Sequence, residues 1–174
     1  MIIEVRVRPH DPEWSRSFDQ EAQNLRALWG ANLLAAHHIG STAIPSIVAK
    51  PIVDMLVEVH SVALLDELVP QMEASGYQAL GEYGLPGRRY FRKEHPDGSR
   101  SHHIHAYETG SPEIHRHLAF RNYLLAHPVI ANAYSTLKRR LAADHPHDSQ
   151  AYMDGKAPFI RKVEAQALAW SRTG

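Results

Sequence analysis

The sequence HIGSTAIPSIVAKPIVDMLVEV, residues 38–59, decides the fold. Its apolar runs predict one strand over residues 33–39 and a second over residues 51–59, joined by a turn of small residues and a short connector. Asp54 stands on the second strand among Ile, Val, Met and Leu. A carboxylate in so apolar a run costs free energy unless it is paired, exposed at an edge or bound to a metal. We therefore predict that Asp54 is a catalytic, metal-binding residue; the alternative is a carboxylate that caps a turn at a strand end.

The turn between these strands has the composition of an anion site. Gly40 allows backbone angles that other residues avoid, so main-chain N–H groups can approach a bound group closely. Ser41 and Thr42 add two hydroxyl groups. A helical turn after them would direct its N-terminus to the same place, which favours a phosphate. A phosphate-binding turn followed by an acidic strand predicts a site for a nucleotide and a metal.

Gly40-Ser41, followed by twelve residues and then Asp54, resembles the pattern of the nucleotidyltransferase superfamily. The segments HIGSTAIPSIVAKPIVDMLVEV, GRRYFRKE, HHIHAYETGSPEIHRHLAFRNYLLAHP and AYMDGKAPFIRKVE resemble the GrpB family more narrowly. This resemblance extends from residue 10 to about residue 164. It implies a polymerase-beta-like nucleotidyltransferase fold, a single GrpB domain over residues 1–174, and a relation to the domain that is fused to dephospho-CoA kinase in some relatives.

The carboxylate pattern departs from that superfamily. A second carboxylate usually follows the first by two residues, and Leu56 stands there in this chain. Glu58 is predicted to share a strand face with Asp54, but four strand residues span roughly 13 Å, too far for both side chains to hold one ion. In place of an acidic residue on a neighbouring strand, the sequence offers His103 and His105, which alternate onto one face.

Asp54, His103 and His105 together predict a divalent metal site. The superfamily resemblance implies Mg or Mn, whereas imidazole ligands favour a softer ion such as Zn. Three alternatives stay open: the histidines contact phosphate directly, two-metal chemistry has been lost, or the imidazoles bond to neighbouring backbone.

Four basic residues are candidate phosphate ligands because they lie in the segments that resemble the family: Lys50, Arg89, Arg121 and Lys156. Solvation at the surface is the alternative for each of them. His115 and His117 flank an arginine on a predicted helix, and we expect both at the surface.

Hydrophobic spacing and turn residues place the remaining elements. They predict strands over 3–8, 77–80, 88–93 and 101–107, and helices over 11–29, 62–75, 111–127, 128–143 and 148–171. Strands dominate the first two-thirds of the chain and helices the last third. The fold class is therefore α+β, with a small mixed β-sheet of nucleotidyltransferase type, flanking helices and a helical C-terminal third.

Composition limits the environment and the partners. The chain has 174 residues, 19 Lys and Arg against 19 Asp and Glu, and no cysteine. The balanced charge gives no strong case for nucleic acid, and the N-terminus lacks an apolar signal core. These features predict a cytoplasmic protein with no membrane partner. The Gly40-Ser41 turn and Asp54, together with the family resemblance, predict that its ligand is a nucleotide or a phosphorylated small molecule.

Three functions compete on this basis. The leading hypothesis is a nucleotidyltransferase-type enzyme that binds a nucleoside triphosphate and transfers to an unknown acceptor. The alternative is a non-catalytic nucleotide- or phosphometabolite-binding module linked to coenzyme A metabolism, because the second carboxylate is missing. A cupin-like histidine-metal enzyme is disfavoured, since cupins are β-barrels. A serine hydrolase is excluded because residues 39–43 do not read Gly-x-Ser-x-Gly.

Overall fold

The computed structural model describes residues 4–173. Its strands are β1 (Leu33–Ile39), β2 (Val53–Val59), β3 (Tyr77–Ala79), β4 (Arg89–Glu94) and β5 (Arg100–Glu108). Its α-helices are α1 (Glu13–Trp29), α2 (Val62–Glu67), α3 (Val69–Ala74), α4 (Pro112–Ala126), α5 (Pro128–Asp144) and α6 (Ser149–Ser171). The strands form one sheet in the order β1-β2-β5-β4-β3, in which β2 and β5 are parallel and the other neighbours antiparallel. The predicted α+β class, with a mixed sheet and a helical C-terminal third, is confirmed.

The two faces of β2 meet different partners because successive strand residues point to opposite sides. Val53, Met55 and Val57 pack against Trp14 and Leu25 of α1 in the larger apolar cluster. This face is almost closed to water, since all five side chains are buried. It anchors α1 against the sheet.

The opposite face of β2 carries Asp54 and Leu56. Leu56 is completely buried in a cluster with Ile39, Tyr107 and Ile114 of α4. The C-terminal helices build a further core of their own beside this face, around Ile44, Ala131, Tyr134 and Val163. Asp54 therefore lies at the boundary between the sheet and the C-terminal helices.

The predicted edge strand over residues 3–8 is wrong for the residues that the structure describes, and Ile3 lies outside them. Residues 4–8 make a single bridge, in which Arg8 and Ala49 exchange hydrogen bonds of 2.8 and 2.9 Å. Val5 is buried against Leu141 and Tyr152 of the C-terminal helices. Burial of this side chain against helices, which the alternating pattern does not reveal, takes the segment away from the sheet.

The predicted helix over 62–75 is divided at Leu68 into α2 and α3. Pro70 lies in the first turn of α3, where the missing N–H of proline leaves no helical hydrogen bond unmade. In the interior of one continuous helix over 62–75, the same proline would break a hydrogen bond. None of the helices within residues 4–173 is long and apolar enough to cross a membrane.

Candidate functional site

Asp54 lies in the interior of the sheet, opposite Ile39 of β1 and His103 of β5. Its Oδ1 atom is 3.5 Å from Nδ1 of His103 and 3.5 Å from Nε2 of His105. Because β2 and β5 run parallel in this register, strand alternation is enough to bring the carboxylate and both imidazoles to one face.

The turn after β1 approaches this carboxylate closely. Gly40 has a φ of 72°, a conformation that L side chains rarely adopt. A Cβ atom at position 40 would lie only 2.6 Å from Oδ2 of Asp54 and 3.0 Å from the Asp54 Cβ. Both the backbone angle and the contact therefore require glycine, and the turn and the carboxylate form one unit.

The imidazoles keep Asp54 ionised. Burial alone would raise the pKa of Asp54, but the hydrogen bonds that it accepts from the His103 and His105 rings outweigh burial and hold the pKa below its usual value. The carboxylate is thus charged at neutral pH and already has partners within the protein.

Arg88 fixes the role of His105. A guanidinium nitrogen of Arg88 lies 3.2 Å from Nδ1 of His105, and arginine can only donate hydrogen bonds. Nδ1 of His105 is therefore the acceptor, so in the neutral ring the proton is on Nε2 and faces Asp54. In this arrangement His105 has no lone pair directed at a metal ion beside Asp54.

The predicted metal cluster does not fit these donors. Within residues 4–173, no three His, Cys, Asp or Glu side chains are arranged so that they could hold a metal ion. Leu56, where the resemblance described in the sequence analysis would expect a second carboxylate, is 0% exposed. The imidazoles act here as partners of Asp54, and one carboxylate alone is a poor site for a divalent ion.

A cavity of about 420 Å³ opens beside Asp54. Its walls come from the turn after β1, from the segment before β2, from the start of β5 and from the helices α5 and α6. The lining residues that carry polar side chains are Ser41, Thr42, Lys50, Asp54, Arg100, His103, Lys138, Ser149, Tyr152 and Lys156. Asp54 is the only acidic residue among them, against four basic ones.

Three lysines crowd this cavity. The Nζ atoms of Lys50 and Lys156 lie 4.5 and 4.8 Å from the centre of the Tyr152 ring. Lys138 is only 2% exposed, and its Nζ donates a 2.7 Å hydrogen bond to the Val48 carbonyl. Burial, together with the neighbouring ammonium groups, lowers the pKa of Lys138 to about 7 and that of Lys156 to about 8.

Thr42 contributes less to the cavity than its position suggests. Its hydroxyl is 2.8 Å from Nε2 of His38, and the residue is buried. Burial lowers the pKa of His38 to about 4, so this ring is neutral at physiological pH. The Ser41 hydroxyl is therefore the better placed of the two for a ligand.

Two predicted phosphate ligands lie elsewhere. Arg89 makes a two-pronged ion pair with Asp66, with distances of 2.7 and 3.0 Å, on the α2 side of the sheet. The phase of strand alternation on β4 places it on that face. Arg121 donates a 3.1 Å hydrogen bond to the His38 carbonyl and contacts Asn122, so it supports the end of β1. Neither residue is among those that line the cavity.

A model of the GrpB protein family matches residues 4–166. This chain belongs to the GrpB family. The UPF0157 protein YqkA of Bacillus subtilis (strain 168) is 45% identical over 168 residues, which make up 97% of this chain and 48% of YqkA. The dephospho-CoA kinase of Mycolicibacterium paratuberculosis is 28% identical over 96% of this chain and 47% of the kinase. The chain thus spans about half the length of both relatives.

Among solved structures, the GrpB chain resembles the crystal structure of conserved protein GrpB from Enterococcus faecalis. The two superpose with a TM-score of 0.90 and 46% sequence identity, covering 95% of this chain and 99% of that one. The architecture described here is therefore that of an experimentally determined GrpB protein.

Several residues of the candidate site were not predicted from the sequence. Lys138 and Tyr152 reach the cavity through tertiary packing of α5 and α6, which no local pattern reveals. His117 was expected at the surface, but its ring lies 5.8 Å from that of His105, and burial lowers its pKa to about 3. The helical period that buries Ile114 also turns position 117 inward, and it could have indicated this placement. His115 is exposed as predicted.

Proposed function

We propose that this chain binds the phosphates of a nucleotide or another phosphorylated metabolite in the cavity beside Asp54. The observation that supports this most is the charge balance of the lining, in which Lys50, Lys138, Lys156 and Arg100 face a single carboxylate. Burying ammonium groups together is unfavourable unless an anion joins them. A polyphosphate supplies that anion.

The Asp54 carboxylate already has partners other than the lysines. His103 and His105 both direct nitrogen atoms at its carboxylate, so Asp54 does not have to neutralise the lysines. The lysines Lys50 and Lys156 rest on the Tyr152 ring rather than on an acidic side chain, which leaves their N–H donors available. The Ser41 hydroxyl lines the same space.

Binding without transfer accounts for the carboxylate pattern better than nucleotidyl transfer does. Leu56 is completely buried where the second carboxylate would stand. Glu58 accepts a 2.7 Å hydrogen bond from the Thr109 hydroxyl, at the far end of β2. Among the residues that the structure describes, Asp54 is thus the one acidic side chain that lines the cavity.

Nucleotidyl transfer remains the second candidate, and the charged state of Asp54 favours it. An ionised carboxylate held against Gly40 at the edge of a phosphate-binding cavity can bind or orient an acceptor hydroxyl. The resemblance of the Gly40-Ser41 turn and Asp54 to the nucleotidyltransferase-superfamily pattern implies the same chemistry. If the chain is a transferase, it should form a product from the nucleotide, and Asp54→Asn should abolish that activity. If it is a binding module, it should bind the nucleotide without turning it over.

Calorimetric titration with ATP, GTP and dephospho-CoA tests the proposal. Dephospho-CoA is included because relatives of this chain carry the name dephospho-CoA kinase. We expect micromolar to millimolar binding of at least one of them, weakened about tenfold in Lys156→Gln through loss of one buried charge contact. Arg161→Gln, an exposed change on the same helix, is the matched control and leaves affinity unchanged. Equal affinity of wild type and Lys156→Gln would exclude the cavity as the site.

A further inference from the structure

Tyr83 is the only non-glycine residue with positive φ within residues 4–173, at 46°. It lies in the loop before β4, where Gly81, Gly84 and Gly87 also have positive φ. A bulky side chain in this region is strained, and such strain persists where the surroundings maintain it, often at functional sites. Despite the strain, the Tyr83 side chain is not buried, since the residue is 54% exposed.

The exposed ring is nevertheless held in place. Tyr83 stacks on Tyr90 with ring centres 5.4 Å apart and an interplanar angle of 19°. The guanidinium of Arg92 lies 4.9 Å from the Tyr83 ring centre and 5.3 Å from that of Tyr90, and it donates hydrogen bonds to both phenol oxygens. Arg88 donates a 2.8 Å hydrogen bond to the Tyr83 carbonyl. The Tyr83 ring is thus held by Tyr90 and Arg92 although the residue is 54% exposed.

This stack continues directly into the site around Asp54. The Tyr90 ring lies 5.8 Å from His103 and 5.1 Å from His105, the two imidazoles that contact Asp54. His103 also lines the lysine cavity. The tyrosine stack therefore borders the site on the side of β4, away from the helices that carry Lys138 and Lys156.

We propose that Tyr83 is a stacking platform for a planar heteroaromatic ring, such as a nucleobase. A role in stability alone does not require an exposed ring in a strained conformation, whereas stacking of a base requires a rigid, open π-face. Arg92, close to the same ring, favours an electron-rich base and its phosphates. The inference rests on the proposed function for the phosphate end of the ligand. The Tyr83 ring would make the site prefer nucleotides over polyphosphates that carry no base.

The test compares ATP with tripolyphosphate, which carries the phosphates without a base. We expect ATP to bind wild type about tenfold more tightly than tripolyphosphate, in line with one base–aromatic stack. Tyr83→Asn removes the ring and suits the positive φ, so folding is preserved. This variant is expected to lose the tenfold preference and to keep its affinity for tripolyphosphate. Tyr83→Phe keeps the ring and most of the preference.

The outcomes separate this inference from the proposed function. If Tyr83→Asn leaves the preference for ATP intact, or weakens both ligands equally, the platform is overturned. If tripolyphosphate does not bind the wild-type protein, the proposed phosphate site is wrong, and titration with adenosine tests the platform separately. Adenosine binding that Tyr83→Asn abolishes would support the platform. No adenosine binding would overturn it.

Discussion

At the scale of single residues, Gly40 joins the turn to the carboxylate. Gly40→Ala places a methyl group 2.6 Å from Oδ2 of Asp54 in addition to straining the backbone. Gly98→Ala is a matched control, because Gly98 has a φ of 86° with nothing within 4 Å of the added Cβ. The control should lower the free energy of unfolding by about 1–2 kcal/mol from backbone strain alone.

Gly40→Ala should lower the free energy of unfolding by about 1–3 kcal/mol more than the control, because the clash adds an overpacking cost. Urea denaturation of both variants measures the difference. Equal losses in the two variants would show that Asp54 moves freely and that the turn and the carboxylate are not one unit.

The lowered pKa of Lys138 leads us to expect that anion binding depends on pH. Its pKa is lowered to about 7 by burial, with Lys156 and Lys50 opposing its charge and Asp54 favouring it. An anion binds the protonated forms of Lys138 and Lys156 better than the neutral forms, so anion binding takes up protons. The affinity therefore falls as the pH rises through the pKa of Lys138, about 7, and that of Lys156, about 8. Tripolyphosphate titrations at pH 8 in buffers of different ionisation enthalpy measure the uptake. Lys138→Met should reduce it, and release of protons would contradict the account.

At the scale of elements, α6 positions one wall of the cavity from its first turns. Asp148 caps this helix by accepting a 2.9 Å hydrogen bond from the Ala151 N–H. Asp148→Ala should cost about 1 kcal/mol of unfolding free energy, whereas Asp148→Asn, an equally good cap, should cost little. Because Tyr152 and Lys156 follow the cap, Asp148→Ala should also weaken tripolyphosphate binding. Thermal unfolding and calorimetry of the pair test this, and equal behaviour of the two variants would contradict it.

Local patterns predicted the elements better than their contacts. The segment over residues 3–8 forms no strand where it is described, and the helix over 62–75 is divided at Leu68; the other strands and helices lie within a few residues of their predicted bounds, since hydrophobic period and turn chemistry are local signals. Asp54, His103 and His105 share a face because strand alternation is also local. Arg89 was misplaced because its face depends on the phase of β4, and a shift of one residue exchanges Arg88 for Arg89.

Residues far apart in sequence account for the rest of the site. Lys138 reaches Val48, ninety positions earlier, only after α5 packs beside the sheet. The same packing places the Tyr152 ring against the ammonium groups of Lys50 and Lys156. No single segment encodes such contacts, so of the four basic residues in the cavity the sequence analysis named Lys50 and Lys156 but not Arg100 and Lys138.

At the scale of the whole molecule, the cavity joins the sheet to the C-terminal helices. A ligand that contacts both Ser41 and Lys156 binds the folded chain only. Tripolyphosphate at about 100 times its Kd should add about 2.7 kcal/mol of stability, which corresponds to roughly 5–10 °C in Tm. Differential scanning fluorimetry measures the shift. It should shrink in Lys156→Gln and persist in Arg161→Gln, and an equal shift in both would place the anion elsewhere.

The most direct test of phosphate binding beside Asp54 is a crystal structure of the chain grown with a non-hydrolysable ATP analogue. The account predicts phosphate oxygens within about 3 Å of the Lys156 and Lys50 ammonium groups, the usual hydrogen-bond distance. Phosphates bound at another surface, with the lysine cavity filled by solvent, would contradict it.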